Sequence, residues 1–191
     1  MAEPINALFG AEAATTEPQR LTDAEKAEMY AGIAPFIQAL CEDGCLSALA
    51  LMDLVVGALH NAFPTFFWTG FYRRIGAQTL EVGPSQGTLG CSHIDFGKGV
   101  CGTVAATETT RIVDDVHAEP NHIACDSASR SEIVVPVFVH GKLAAVLDVD
   151  STLPAAFSHA DKTALEQVCG WVGAALERRA LTGVIVFGKG D

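Results

Sequence analysis

An α+β domain, with an antiparallel β-sheet, helices packed on one face and a loop-built pocket on the other, is what the order of hydrophobic patterns in this chain predicts. Helical spacing occupies both ends of the sequence, and strand-like segments lie between them. From Gly83 to Ser131 the chain turns glycine-rich and polar. A loop-dominated stretch that long inside one domain is more often functional than idle, so the pocket is expected on the loop face.

Residues 1–20 carry Pro, Gly, Thr and Gln without periodicity and read as a flexible or surface-wrapped arm. Thr22 and Glu25 have capping-box spacing, and Met29, Ile33, Phe36, Ile37 and Leu40 recur at helical intervals, so a first helix is predicted from Asp23 to Cys41. Gly44 breaks the chain, and Leu46 to Ala62 reads as a second, largely buried helix ending near Pro64. Thr65 to Arg73 and the short Thr79 to Val82 read as strands, joined by a turn over Ile75, Gly76, Ala77 and Gln78. The polar stretch holds two short elements, a helix near Val100 to Thr107 and a strand near Thr110 to Val113. Ile133 to Val139 and Lys142 to Asp150 form a hairpin through His140-Gly141, and Pro136 marks a bulge or an edge position in it. Ser158 with Asp161 caps a last helix whose apolar face is Leu165, Val168, Val172, Ala175 and Leu176. The tail from Thr182 to Asp191 reads as a short strand or a loose end. The expected division is an arm over 1–20, one domain over 21–180 and a tail over 181–191.

Composition narrows the partners. A chain of 191 residues fits one domain and buries roughly two-thirds of its unfolded surface, so no disulfide scaffold is needed for stability. A formal charge of −11, with 12 Lys and Arg spread along the chain, argues against nucleic acid and against an anionic membrane surface. Asp53, His60, Asn61 and Pro64 interrupt the most apolar stretch, so no span of about twenty apolar residues is available to cross a bilayer. The start Met-Ala-Glu-Pro lacks the basic and apolar regions of a signal peptide, and a cytoplasmic location is expected. Six cysteines in such a compartment are thiols unless chemistry oxidises them.

Cys91, Cys101 and Cys125 all fall in the polar stretch, beside Gly, Ser, His or Asp, whereas Cys41, Cys45 and Cys169 fall on or beside helices and read as packing residues. Thiolates are favoured near cations, helix N-termini and backbone N–H clusters, so the first three are candidates for lowered pKa values. In the strand from Lys142 to Asp150, alternation puts Ala144, Val146, Asp148 and Asp150 on one face and Leu143, Ala145, Leu147 and Val149 on the other. Two carboxylates above small residues suit an ammonium group, a metal, or an acid that keeps its proton. A solvated strand end is the plainer alternative. Glu132 begins the preceding strand and is a third acid within reach. Trp68 and Tyr72, four apart, share a strand face as core or as an aromatic wall for a small ligand. Two other chemistries compete for these residues. Cys91, His93, Cys101, His122 and Cys125 offer soft ligands, but Cys-x-His and His-x-x-Cys spacings do not match the paired knuckles of structural zinc. Gly-Val-Cys-Gly reads poorly as a hydrolase nucleophile turn, because Thr103 stands where a second glycine is needed.

In order along the chain come Trp-Thr-Gly-Phe-Tyr, Gly-Pro-x-Gln-Gly, Cys91, and Phe-Gly-Lys-Gly-Val-Cys-Gly-Thr with Cys101. His-Ile-Ala-Cys-Asp-Ser-Ala-Ser-Arg-Ser-Glu-Ile-Val-Val-Pro and Leu-Asp-Val-Asp follow. This series, over roughly residues 60–178, resembles the free methionine-(R)-sulfoxide reductases, a family with the GAF fold. The resemblance implies a single GAF-type catalytic domain that works without a cofactor or metal. It implies Cys125 as nucleophile, Cys91 as the recycling thiol and Cys101 as an auxiliary or second resolving thiol. It places Glu132, Asp148 and Asp150 around the sulfoxide oxygen and the substrate ammonium, with at least one carboxyl protonated. Trp68 and Tyr72 would line the methylthio end, and backbone N–H groups from Ser127 to Ser131 would hold the substrate carboxylate. Thioredoxin or a similar dithiol is the implied reductant, and a homodimer is what the family suggests. A GAF domain that senses a small molecule or oxidation without turnover is the alternative, and the three cysteines weigh against it.

Overall fold

In the computed structural model, which describes residues 19–121, 123 and 125–181, six strands form one curled antiparallel sheet. They are Trp68–Arg74 (β1), Thr79–Gln86 (β2), His93–Asp95 (β3), Arg111–Val113 (β4), Ser131–Val139 (β5) and Lys142–Ser151 (β6), ordered β3-β2-β1-β6-β5-β4. Four helices accompany them among the described residues: Asp23–Glu42 (α1), Ala48–Ala62 (α2), Gly99–Thr107 (α3) and His159–Leu181 (α4). The tail expected from Thr182 onward and most of the arm lie outside the described residues.

Local chemistry sets the helix ends. The Thr22–Glu25 capping box is formed, and Ser158 with Asp161 repeats the arrangement at α4, where Asp161 Oδ2 accepts from the Ser158 N–H at 2.7 Å. Ser47 accepts from the Ala50 N–H, so α2 starts at Ala48 and not at Leu46. The line that α1 buries is Lys26, Tyr30, Ile37 and Cys41, whereas Phe36 is 54% exposed. Lys26 was unreadable as a core position because its charge is compensated only in three dimensions. Its ammonium donates to the Ala156 carbonyl at 2.6 Å and pairs with Asp161, which also accepts from the Tyr30 hydroxyl at 3.0 Å. Arg179 at the far end of α4 donates to the Leu46 carbonyl at 2.7 Å and so fastens the α1–α2 connection.

The sheet separates two apolar clusters. Helices α1, α2 and α4 pack on one face against Phe71, Ile133, Val135, Ala145, Leu147 and Val149. The other face carries Trp68, Tyr72, Val134 and Val146, covered by Val100, Cys101 and Val104 of α3. The short helix expected within the polar stretch, α3, joins the loops on the pocket side. Two corrections follow from the backbone. Val137 pairs with Ala145 but Phe138 pairs with Leu143, so Ala144 is a bulge residue and Leu143 falls on the pocket side, opposite to strict alternation. Pro64 and Thr65 form a turn closed by the Phe66 N–H on the Phe63 carbonyl, so β1 begins at Trp68 and not at Thr65. Pro136 lies beside that bulge and beyond Val134, the last β5 residue paired with β4, where a missing N–H costs the β4 ladder nothing. Strand β2 runs on to Gln86, and β3 was hidden in the polar stretch because three residues carry no readable period.

Removing one partner of a buried ion pair leaves an uncompensated charge, which costs about 3–5 kcal/mol. Lys26→Met is expected to lower the unfolding free energy by about that much in urea. A loss below about 1 kcal/mol would contradict the role assigned to the pair.

Candidate active site

Sheet register brings three carboxyl groups together. Asp150 of β6 lies opposite Trp68 of β1 on one side and Glu132 of β5 on the other. Two residues earlier, Asp148 lies between Gly70 and Val134. Period-two alternation turns both aspartates to the pocket side, and Glu132 joins them from the neighbouring strand. Glu132 and Asp148 are each 6% exposed, so the solvated strand end is not what forms.

Burial decides their protonation. It pushes the Glu132 carboxyl well above its usual range, the charges of Asp148 and Asp150 push further, and Arg111 opposes them. Asp148 is raised in the same way, by burial and then by Asp150, against hydrogen bonds from Cys101 and Glu132. Asp150 is pushed up to about 7 by burial, with a Ser129 hydrogen bond opposing. Three acids sharing one buried layer cannot all ionise near neutral pH, so the layer presents both a hydrogen-bond donor and negative charge.

The aromatic wall stands beside this layer. Trp68 and Tyr72 stack with ring centroids 5.6 Å apart, and the Trp68 indole N–H donates to the Thr88 carbonyl at 3.0 Å. The loop after β2 closes on them at Gly90, where a Cβ would stand 2.8 Å from the Tyr72 hydroxyl oxygen. Only glycine lets the backbone come that near. That close approach carries the next residue, Cys91, to the pocket mouth, where it forms a disulfide with Cys125, 34 residues away. Thr88 Oγ1 donates to Asp126 Oδ2 at 2.6 Å, a second tie between the two loops.

Cys101 behaves differently. It lies in the first turn of α3, where a helix N-terminus favours a thiolate, but it is 3% exposed. Burial, then Asp148 and Glu132, push its thiol well above the ordinary value. It is therefore a protonated S–H, donating to Glu132 Oε1 at 3.9 Å, and this corrects the expectation of a lowered pKa. Cys91 and Cys125, being disulfide-bonded, do not titrate. Cys41 and Cys169 are buried and Cys45 is exposed, all free thiols away from the pocket lining.

The cavity, about 500 Å³ counting its open mouth, brings together Trp68, Tyr72, Cys101, Cys125, Glu132, Asp148 and Asp150. Two serines expected there are elsewhere. Ser127 is exposed and off the lining, and Ser131 is buried with its hydroxyl donating to the Leu153 carbonyl at 2.6 Å and accepting from the Ala156 N–H. The serine that reaches the pocket is Ser129, 4% exposed and bonded to Asp150. Within the loop, the Ala128 and Arg130 N–H groups are taken by Asp126 and by the Ser151 carbonyl. Of the suggested soft ligands, His93 is on the surface near Glu81, and His122 lies outside the described residues. Among the described residues, the grouping that does form is Cys101, Glu132 and Asp148, with ligand atoms within 4.8 Å of one another.

Fold and site together define a GAF-type domain with a buried acidic pocket beside a disulfide-bonded cysteine pair. The profile of the GAF domain family matches residues 12–176. The chain is 40% identical over 152 residues to GAF domain-containing protein A of Dictyostelium discoideum, covering 80% of this chain and 95% of that protein. It is 39% identical over 143 residues to the free methionine-R-sulfoxide reductase of Escherichia coli strain K12, covering 75% of this chain and 86% of the relative. The X-ray structure of free methionine-R-sulfoxide reductase from Neisseria meningitidis in complex with its substrate superposes with a TM-score of 0.77 at 36% identity, over 86% of this chain and 98% of that one. The chain belongs to the free methionine-R-sulfoxide reductase family of GAF domains.

The acid layer has a consequence for stability. An Asp near 3.9 when unfolded and near 7 when folded binds more protons in the folded state. Its stabilising contribution is complete below about pH 4 and is lost as pH rises through about 7. Asp150→Asn is expected to flatten the fall in urea midpoint between about pH 5 and pH 8. An unchanged slope would show that Asp150 titrates as an ordinary carboxylate.

Proposed function

We propose that this chain reduces free L-methionine-(R)-sulfoxide to L-methionine. The observation that carries the reading is the Cys91–Cys125 disulfide beside a pocket lined by an aromatic pair and three clustered carboxyl groups. In the proposed reaction the Cys125 thiolate attacks the sulfoxide sulfur, and its sulfur takes the oxygen as the S–O bond of the substrate breaks. A proton from the Glu132, Asp148 and Asp150 layer goes to that oxygen, giving methionine and Cys125 sulfenic acid. The Cys91 thiol then attacks the sulfenic sulfur, the disulfide forms and water leaves. An external dithiol of the thioredoxin type restores both thiols and is itself oxidised.

The remaining groups have proposed parts in binding. Trp68 and Tyr72 receive the methylthio group, and the ionised member of the acid layer receives the ammonium. Ser129, the serine of the Ser127 to Ser131 loop on the pocket lining, is the proposed partner for the substrate carboxylate through its hydroxyl and backbone N–H. Cys101, buried among the acids, suits an auxiliary role better than that of first resolving thiol. The proposed catalytic unit is residues 21–180, in a cytoplasmic homodimer. Among the described residues no helix is long and apolar enough to cross a membrane.

Consumption of free L-methionine-R-sulfoxide, beside the S epimer and a peptide-bound sulfoxide and with dithiothreitol as reductant, tests the proposal. Turnover of the free R epimer alone is expected, with Cys125→Ser reducing it by more than about a thousandfold, as loss of a covalent nucleophile does. Inactivity of the wild type on all three, with ligand-dependent stabilisation, would replace the reductase with a sensor.

A further inference from the structure

We propose that Cys101, Glu132 and Asp148 bind one thiophilic divalent cation of the zinc and cadmium type. The Cys101 sulfur and one oxygen of each carboxyl lie within 4.8 Å of one another, buried yet lining a pocket that opens to solvent. The ligand set is therefore preformed and reachable. A separate observation points to an occupant. Asp148 Oδ1 has no hydrogen-bond partner although the side chain is only 6% exposed, and leaving one oxygen of a buried carboxyl group unpaired is costly. One sulfur and two oxygens are donors that zinc accepts at about 2.3 Å and about 2.0–2.2 Å, which brings ligand atoms to roughly 3.5 Å from each other. A contraction of about 1 Å among side chains on one helix and two adjacent strands achieves this. Asp150, next along the same face, or water completes four-coordination.

The exchange balances as protons for metal. The Cys101 S–H proton and any proton held by Glu132 or Asp148 leave to solvent as the ion binds, and no electron moves. This relieves the like-charge crowding of the layer without the proton that otherwise neutralises it. The ion would stand where the sulfoxide oxygen is placed above, so it would inhibit turnover; that consequence rests on the proposed function, whereas the binding does not.

The test uses the disulfide-closed protein carrying Cys45→Ser, since Cys45 is the exposed free thiol. Cadmium is titrated and the ultraviolet thiolate-to-cadmium absorption is read together with calorimetric stoichiometry. One ion per chain with a saturable band is expected, the band is lost in Cys101→Ser, and Asp148→Asn weakens affinity by more than about tenfold. Absence of a saturable band, or a band that survives Cys101→Ser, overturns the site. Should Cys101→Ser misfold by circular dichroism, unchanged affinity in a folded Asp148→Asn overturns it equally. Binding without sulfoxide turnover would retain the site and remove only the reductase reading.

Discussion

Crowding three carboxyl groups, two buried and one half-buried, on two adjacent strands is the constraint around which this molecule is arranged. Glu132, Asp148 and Asp150 reach one another because the β5–β6 register places Glu132 opposite Asp150 and Val134 opposite Asp148. Left ionised in a low-dielectric layer, they would repel strongly enough to oppose folding. Protonation of part of the layer is the relief available to the free protein, and burial is the first cause of each raised pKa. A layer built in this way favours holding a proton near neutral pH.

The surrounding architecture holds that layer in place and leaves it reachable. On the opposite face, α1, α2 and α4 cover the sheet with a continuous apolar cluster and fix the strands that carry the acids. On the pocket face, α3 and the stacked Trp68 and Tyr72 pack over the sheet, and Gly90 lets the Cys91 loop close on the aromatic pair. Cys125 is exposed and its disulfide partner Cys91 half-buried, while Cys101 is buried beside the acids on the pocket lining. The three cysteines of the polar stretch therefore divide into a disulfide-bonded pair near the surface and a buried third.

Much of this was legible because it depends on short-range period and capping. Alternation alone placed Asp148 and Asp150 on one face, and the spacing of Trp68 and Tyr72 placed them together. The caps at Thr22 and Ser158 follow from local hydrogen bonding that any helix start needs. What escaped depends on distant partners or on irregular backbone. Lys26 is buried only because Asp161, 135 residues away, meets it. Leu143 changes face because of one bulge residue. Ser129, and not Ser127 or Ser131, enters the pocket because a loop has no fixed side-chain period, and both neighbours were equally polar. Cys101 looked like an activated thiol from its glycine neighbours and its helix start; burial against the sheet, and then the acids of β5 and β6, raise its pKa instead.

Infrared absorption of the protein at neutral pH, read in the carbonyl stretch of protonated carboxyl groups, tests this account most directly. A protonated-carboxyl band that shifts with deuteration and is diminished in Asp148→Asn and Glu132→Gln is the predicted result. Absence of any such band at neutral pH would mean that all three acids are ionised, and the proton-holding layer at the centre of this account would be wrong.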